Sequence, residues 1–349
     1  MKATYHKHIL NFKRASGTSR GVLKTKETWY IVVEDGAKKG IGECGILRGL
    51  SFDDRPDYEE RLRWTCANIA KGSDVLWEAL KDFPSIQFGV EMAFLSLKSS
   101  DPFVLFPSKF TDHTDAIAIN GLVWMGDEVF MKEQIEEKLA AGFDCIKMKI
   151  GAIDFEKELA LLRFIRTHYD ASKITLRVDA NGGFAFAKAK KVLKQLATLD
   201  IHSIEQPIAV RNWEQMKELC AETPTPIALD EELIGITDVT KKRDLLQTVR
   251  PQYIILKPSF IGGFRGSKEW IDQVEALGIQ WWITSALESN VGLNAIAQWT
   301  YKLQAEGPQG LGTGSLFTNN IQSPLEVRAG ALHYNNQLDW NFNTDTLCL

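Results

Sequence analysis

The sequence predicts an α/β protein built on a parallel (β/α)8 barrel, preceded by a smaller α+β domain. From about residue 115, a short apolar strand, a polar or charged group and an amphipathic helix recur at intervals of about 25 to 30 residues, which is typical of parallel strands joined by helices. The first ~110 residues lack this rhythm. The 349 residues have room for both parts, since such barrels take about 200 to 250 residues.

The N-terminal part, residues 1–114, reads as strands followed by helices. Two strands, KHILNF and ETWYIVVED, flank the polar stretch 14–21, which predicts a β-hairpin with a long mobile tip. A glycine-rich loop, GIGECGILRGLSFDD, follows. The segments DYEERLRWTCANIAKG and IQFGVEMAFLSLKSS then have the apolar spacing of amphipathic helices. Strands followed by helices predict an α+β domain.

The second part, residues 115–322, supplies eight candidate strands. Between several of them lie charged segments with apolar residues three and four apart, such as DFEKELALLRFIRTHY and AFAKAKKVLKQLATL, which predict the outer helices. The last segment, 323–349, is strand-like again. The candidate strands are AIAINGLV, CIKMKIG, ITLRVDANGG, HSIEQPI, PIALDEEL, YIILKPSF, IQWWITSALES and GLGTGSLF.

Charge and composition narrow the classes of function. Hydrophobic residues make up 44% and charged residues 25% of the chain, with a net charge of −4, which is ordinary globular usage and gives no basic field for nucleic acid. No secretory signal or apolar run of membrane-spanning length is present, so we expect a cytoplasmic protein. The five cysteines form no CxxC pair, which argues against a disulfide framework or a zinc site.

Three carboxylates close consecutive predicted strands: Asp179 after ITLRV, Glu205 after HSI and Asp230 after PIAL. Strand ends meet at one face of a barrel, where active sites lie. Adjacent carboxylates repel each other unless a cation compensates them, and Mg²⁺ binds such oxygen ligands while leaving positions for substrate. Any one of these acids could equally be a helix cap. Three acids at the ends of three consecutive strands, however, predict a magnesium site.

Lysines flank the acids. Lys147 and Lys149 lie two apart on CIKMKIG, so a strand directs both into the barrel mouth. Burial and like charge are expected to lower a lysine pKa towards the range of a base. Lys257 ends YIILK, four strands further round. A carboxylate substrate held between opposed lysines could lose its α-proton, with the metal and the second ammonium stabilising an enediolate.

In this order, KMK, VDANGG, SIEQP, ALDEE and ILKP resemble the enolase superfamily, and specifically its muconate lactonizing enzyme subgroup. The resemblance implies a modified (β/α)7β TIM-like barrel, with an α+β capping domain that both chain termini build. It further implies Mg²⁺, with Mn²⁺ as an alternative, on Asp179, Glu205 and Asp230. Lys149 and Lys257 correspond to the acid/base lysines, and Lys147 to the lysine that assists them.

Within that subgroup, RGVLKTKETW, GECGILRGLS, ITSALESNVGLNAIAQW and GLGTGSLFTNN are similar to the o-succinylbenzoate synthase family. This similarity implies magnesium-dependent syn dehydration of 2-succinyl-6-hydroxy-2,4-cyclohexadiene-1-carboxylate to 2-succinylbenzoate, a step of menaquinone biosynthesis. The expected partner of this protein is thus a small carboxylate substrate. A homo-oligomer is also compatible with the sequence. Substrate contacts are expected from Ser285, Gly312 and Gly314, and from a lid that runs from Ser16 to Arg20.

Two other functions stay open. A dipeptide epimerase or N-succinylamino acid racemase of the same subgroup would also use two opposed lysines. Such an epimerase typically pairs the substrate ammonium with an Asp-x-Asp motif on the last strand, where this chain has Gly312-Thr313-Gly314. An N-succinylamino acid carries no such ammonium, so this racemase activity remains the alternative. A noncatalytic metal-binding barrel is disfavoured, because this chain has every acid and lysine of the superfamily pattern.

Overall fold

The computed structural model describes residues 1–18, 21–151 and 153–347, apart from the side chains of residues 15–18. The chain opens with an antiparallel sheet whose strands pair in the order β1-β2-β3. The core of this part combines buried residues of the strands, among them Trp29 and Ile31, with buried residues of the helices that follow, among them Leu62 and Val90. The strands are β1 (Lys2–Thr18), β2 (Gly21–Asp35) and β3 (Lys38–Gly45).

The predicted hairpin is present, but its strands run much further than expected. β1 and β2 pair from Lys2 opposite Glu34 to Thr18 opposite Gly21, with a register shift between Asn11 and Ser16. The expectation of a long tip over residues 14–21 is therefore wrong where the ladder continues, at 16–18 and at Gly21, and the mobility of the tip stays a prediction. Pairing between backbones needs no apolar side chains, so a polar sequence can continue a ladder.

Three helices follow the sheet, and the two predicted from the sequence are confirmed. The long third helix packs on β3 through glycines: a β-carbon at Gly42 would lie 1.8 Å from the carbonyl oxygen of Gly89. This close approach requires residues without side chains. The helices are α1 (Tyr58–Ala67), α2 (Ser73–Ala79) and α3 (Pro84–Lys98).

The second part is a parallel sheet of seven strands in the order β5 to β11, with helices between successive strands. The strands are β5 (Gly121–Val123), β6 (Cys145–Lys149), β7 (Thr175–Asp179), β8 (Ser203–Glu205), β9 (Ile227–Leu229), β10 (Tyr253–Leu256) and β11 (Gln280–Ile283), and a short strand, β4 (Ile117–Ala118), precedes them. The helices are α4 (Glu128–Ala140), α5 (Phe155–His168), α6 (Phe186–Ala197), α7 (Trp213–Glu222), α8 (Val239–Val249), α9 (Gly263–Glu275) and α10 (Asn290–Lys302).

The eighth predicted strand, GLGTGSLF, is not a strand over its length. Gly310 forms a parallel bridge with Thr284 beyond β11, and Gln309 forms one with Ile119 before β5. These two residues join the edges of the sheet, and Gly314–Leu316 is a short 3-10 turn. Glycine-rich backbone favours turns over a continued ladder. Seven strands and a closing bridge thus agree with a modified barrel rather than a regular eightfold one.

The C-terminal segment contacts both parts of the chain. Its strands β12 (Leu325–Arg328) and β13 (Ala331–Tyr334) form a small antiparallel sheet with β4. The rings of Trp340 and Phe103 stack at 4.2 Å, and Phe342 meets Tyr30 of β2 edge-on. The division at residues 114 and 322 remains a prediction. No helix within the described ranges has the length and apolar character needed to cross a bilayer.

Candidate active site

The predicted acids and lysines come together at the carboxyl ends of the parallel strands. Lys149, Asp179 and Glu205 are aligned across β6, β7 and β8 by strand pairing. Asp230 follows β9 and Lys257 follows β10. Parallel strands in register place their ends side by side, which is why residues far apart in sequence become neighbours. The acids are fully buried, and the lysines nearly so.

Each lysine is paired with a carboxylate. The Lys147 ammonium donates to Glu205 and lies 3.0 Å from Oδ2 of Asp179. Lys149 Nζ also lies 3.0 Å from that oxygen. On the other side, Lys257 donates to Oδ2 of Asp230. Each of the three acids thus has a lysine beside it, as buried carboxylates require.

These pairs set the proton affinities of the site. Burial would lower the pKa of Lys147, but the charges of Asp179 and Glu205 raise it well above its usual value. The Lys257 pKa is also raised, because Asp230 outweighs the effect of burial. Burial would raise the pKa of Asp179, yet the lysines hold it far below its usual range. From the sequence, burial and the like charge of the neighbouring lysine were expected to lower the lysine pKa. For Lys147 this expectation is wrong, because the charges of the nearby carboxylates outweigh both effects.

The acids Asp179, Glu205 and Asp230 form a donor set of the kind that divalent cations prefer. Within the described ranges, no three His, Cys, Asp or Glu side chains are arranged as a metal cluster, and each of the three acids has a lysine beside it. Oε1 of Glu205, however, is buried and has no hydrogen-bond partner among the described residues, and burial raises the pKa of this carboxyl to about 8. Such an unsatisfied oxygen beside two more carboxylates fits an oxygen-preferring ion.

A cavity of about 660 Å³ opens over these groups. It takes in the three lysines and Asp179, together with Ser285, Gly312 and Gly314 from the predicted substrate contacts. The Ser285 hydroxyl lies 2.6 Å from that of Thr313. A β-carbon at Gly314 would lie 2.5 Å from Oδ1 of Asn290, so glycine keeps this wall open. The volume of the cavity is in the range of small-molecule sites.

The side chains of the predicted lid, Ser16 to Arg20, lie outside what the structure describes. Ser16 pairs through its backbone with Leu23 in the β1–β2 ladder, and Arg20 lies outside the described residues. The neighbouring Lys13, Arg14 and Leu23 line the cavity. The hairpin therefore reaches the site, and a lid role for Ser16 and Arg20 stays a prediction.

Sequence reasoning missed several residues of the site. Asn181 accepts a hydrogen bond of 2.8 Å from Lys149 and donates one of 2.9 Å to Oε1 of Glu231. The ring of Trp124 lies 6.0 Å from the Lys149 ammonium, within the range of a cation–π contact. Asn181 follows Asp179 by two residues, so its place beyond a strand end was a usable signal. Nothing in the sequence around Trp124 marks it as a site residue.

Comparisons with known proteins point to one family. The model of the family Enolase C-terminal domain-like matches residues 130–337. The o-succinylbenzoate synthase of Desulfotalea psychrophila is 46% identical, and the alignment covers 95% of this chain and 98% of that protein.

Solved structures agree. The crystal structure of MenC from Desulfotalea psychrophila LSv54 superposes with a TM-score of 0.85 at 40% identity, over 95% of this chain and 99% of that one. A muconate lactonizing enzyme from Pseudomonas fluorescens superposes with a TM-score of 0.82 over 97% and 96% of the two chains. At 21% identity this second likeness shows the fold alone.

Proposed function

The chain belongs to the enolase superfamily, and from that premise we propose that it is an o-succinylbenzoate synthase. It dehydrates 2-succinyl-6-hydroxy-2,4-cyclohexadiene-1-carboxylate to 2-succinylbenzoate, which serves menaquinone biosynthesis. The observation that carries the proposal is the placement of Lys149 and Lys257, four strands apart in the sheet order, on one cavity with three buried carboxylates between them. The relative from Desulfotalea psychrophila, 46% identical, bears this name.

Membership of the superfamily implies a divalent cation, and we assign Mg²⁺, or Mn²⁺ in its place, to Asp179, Glu205 and Asp230. The unsatisfied Oε1 of Glu205 supports this assignment. When bound, the ion supplies positive charge to the substrate carboxylate and so favours loss of the neighbouring proton. Glu231, whose Oε1 accepts from Asn181, acts by orienting its neighbours rather than by binding the ion.

Lys149 is the base and then the acid. As a free amine it takes the α-proton, and the electron pair of the broken C–H bond passes into the carboxylate to form an enediolate. That pair then returns, the C–O bond to the hydroxyl breaks, and Lys149 gives its proton to the departing oxygen, so that water leaves. Asn181 orients the nitrogen. One lysine can serve both steps because proton and hydroxyl leave from the same face.

Lys257 faces the substrate from the other side and stabilises the enediolate by its charge. Its pairing with Asp230 and raised pKa keep it an ammonium, which suits an electrostatic role. Lys147, between Asp179 and Glu205, holds these acids in place and contacts the substrate carboxylate. Both roles use charge without proton transfer.

The remaining contacts hold the succinyl group. We assign them to the Ser285 hydroxyl and the backbone N–H groups at Gly312 and Gly314, with Ser16 and Arg20 as the predicted lid. Leucines on the cavity wall, among them Leu47 and Leu287, exclude water from the carbanionic intermediate.

The alternative is racemisation of N-succinylamino acids. One observation favours it: lysines on two sides of a cavity suit removal of a proton from one face and its return to the other. Gly312-Thr313-Gly314 offers no acid for a substrate ammonium, so dipeptide epimerisation is less suitable.

The test is turnover of the cyclohexadiene substrate by purified protein with Mg²⁺, with N-succinylamino acid racemisation measured beside it. We expect fast dehydration that Lys149→Ala removes. Negligible dehydration with strong racemisation would replace the proposed function by the alternative.

A further inference from the structure

Gln206, directly after Glu205, is a buried polar residue to which the proposed function gives no role. Its side chain is fully buried, and its backbone is left-handed with φ of 37°. A buried amide is costly unless it is hydrogen-bonded, and such a backbone conformation persists only when its surroundings fix it. Both features indicate that specific contacts hold Gln206 in place.

The side-chain amide of Gln206 joins the loop after β8 to the loop after β9. Its Oε1 is shared between two backbone amides, those of Asp230 at 3.4 Å and Glu232 at 3.3 Å. Its Nε2 donates to the carbonyl oxygen of Ile208 and to Oε2 of Glu232, both at 3.1 Å. The amide of Asp230 is therefore bonded to the residue that follows Glu205.

The backbone of Gln206 reaches the two neighbouring strands. Its N–H donates to the carbonyl oxygen of Ala228 at 2.9 Å, and its own carbonyl oxygen accepts from the Gly182 amide at 2.6 Å. Ala228 lies on β9, two residues before Asp230, and Gly182 lies three residues after Asp179. Gln206 thus contacts the chain segments that carry all three metal-binding acids.

Glu232 fixes the orientation of the Gln206 amide. Its carboxylate is fully buried, and its Oε1 accepts from the Arg211 amide at 2.7 Å and from the Trp213 indole at 2.8 Å. Because a carboxylate accepts hydrogen bonds, the NH₂ group of Gln206 must face Glu232. The side-chain oxygen of Gln206 must then face the amide of Asp230.

We propose that Gln206 is a positioning residue of the metal site, whose side-chain amide fixes the spacing of the three metal-binding acids. The inference rests on the proposed function, because Asp179, Glu205 and Asp230 receive their role as ligands there. Without the amide, Gln206 loses the four bonds that hold its left-handed backbone, and its backbone contacts with the neighbouring strands shift. Mg²⁺ demands near-ideal octahedral geometry, so a small displacement of its carboxylates weakens binding.

The experiment measures the dissociation constant of Mg²⁺ by calorimetric titration of metal-free protein, at a temperature at which circular dichroism shows each variant to be folded. Gln206→Met keeps the length and the unbranched shape of the side chain but removes its amide. We expect the Kd for Mg²⁺ to rise by about 10- to 100-fold, as is typical when a partner of the metal ligands is lost. This measurement needs no turnover.

The matched control is Gln298→Met on α10. Gln298 is also fully buried and lies outside the cavity, and its amide likewise makes four hydrogen bonds. It accepts from the amides of Leu105 and Phe106, and it donates to the oxygens of Phe103 and Asn294. We expect this variant to lose melting temperature as Gln206→Met does, but to bind Mg²⁺ with the Kd of the wild type.

A purely structural role would lower the melting temperature and leave the Kd for Mg²⁺ unchanged. An unchanged Kd in Gln206→Met, or an equal rise of Kd in Gln298→Met, overturns the proposal. If Gln206→Met does not fold, Gln206→Asn decides, because asparagine tolerates a left-handed backbone and its amide is too short to reach Asp230. Binding at least about tenfold weaker than in the wild type then supports the proposal, and weaker binding by less than that overturns it.

Failure of the proposed function is recognised separately, from turnover. If the wild-type protein binds Mg²⁺ but does not dehydrate the cyclohexadiene substrate, the proposed function fails and the result for Gln206 stands. If the wild-type protein does not bind Mg²⁺, the metal assignment fails and this inference is overturned with it.

Discussion

Nζ of Lys149 donates a hydrogen bond of 2.8 Å to the side-chain oxygen of Asn181. Asn181 has a left-handed backbone with φ of 43°, which asparagine and glycine tolerate well. Asn181→Gly therefore removes the side chain without backbone strain. We expect kcat to fall by about 10- to 100-fold as Lys149 loses its orientation, with the fold retained, as measured by dehydration kinetics and circular dichroism.

The control for this change is Gln304→Gly, at an exposed residue whose φ is 54°. It makes the same kind of backbone substitution away from the cavity and should keep wild-type kcat. An Asn181→Gly enzyme with undiminished kcat would show that Asn181 does not orient the base.

Loss of the proposed base should be the most damaging single change. Lys149→Ala removes the group that both takes and returns the proton, and general acid–base groups contribute about 10² to 10⁴ in rate. We expect kcat to fall by at least about 10³, with substrate binding largely kept. The measurement is the formation of 2-succinylbenzoate, and Lys241→Ala on the exposed side of α8 is the control. Residual activity within tenfold of wild type would contradict the assignment.

Removal of the metal should abolish activity reversibly. We expect turnover to fall to background after chelation and to return with Mg²⁺. Because the ion binds only the folded protein, Mg²⁺ should also raise the melting temperature of the wild type. Glu205→Gln should lose that increase, and Asp272→Asn, exposed on α9, should keep it. Full activity after exhaustive chelation would refute the three-carboxylate assignment.

The catalytic groups could be predicted from the sequence because each ends a strand. Asp179, Glu205 and Asp230 follow apolar runs, and parallel strands bring such ends together whatever the details of the loops. The hydrogen bonds from the Ser289 and Gly292 amides to Glu43 could not be predicted, since they depend on how a strand near the N-terminus meets a helix late in the chain. The last predicted strand failed for a local reason, because glycines at 310, 312 and 314 favour turns.

Glu43 links the N-terminal sheet to helix α10. Its carboxylate accepts from the Ser289 and Gly292 amides at the start of that helix, and from Thr28 on β2. In Glu43→Gln an amide group must face hydrogen-bond donors. We expect the free energy of unfolding to fall by about 2 to 4 kcal/mol, measured by urea denaturation.

The matched change is Glu136→Gln, at an exposed residue of α4 whose carboxylate lies 3.9 Å from Lys132. A surface pair of this kind contributes little, at most about 1 kcal/mol. Equal stability of the two variants would mean that the buried carboxylate does not hold the helix.

His202 gives the protein a dependence of stability on acid pH. Its ring lies 4.9 Å from that of Tyr253, and burial together with the charge of Arg177 lowers its pKa from 6.5 to about 4. The unfolded chain therefore binds this proton more readily than the folded chain. The contribution of His202 to stability is thus complete above pH 6.5 and is lost as the pH falls towards about 4.

His202→Phe keeps an aromatic ring but cannot titrate, and we expect its melting temperature to fall less than that of the wild type between pH 7.5 and pH 5. His168→Gln, an exposed histidine of α5, should retain the wild-type pH dependence, and an unaltered slope in His202→Phe would show that this group does not set it.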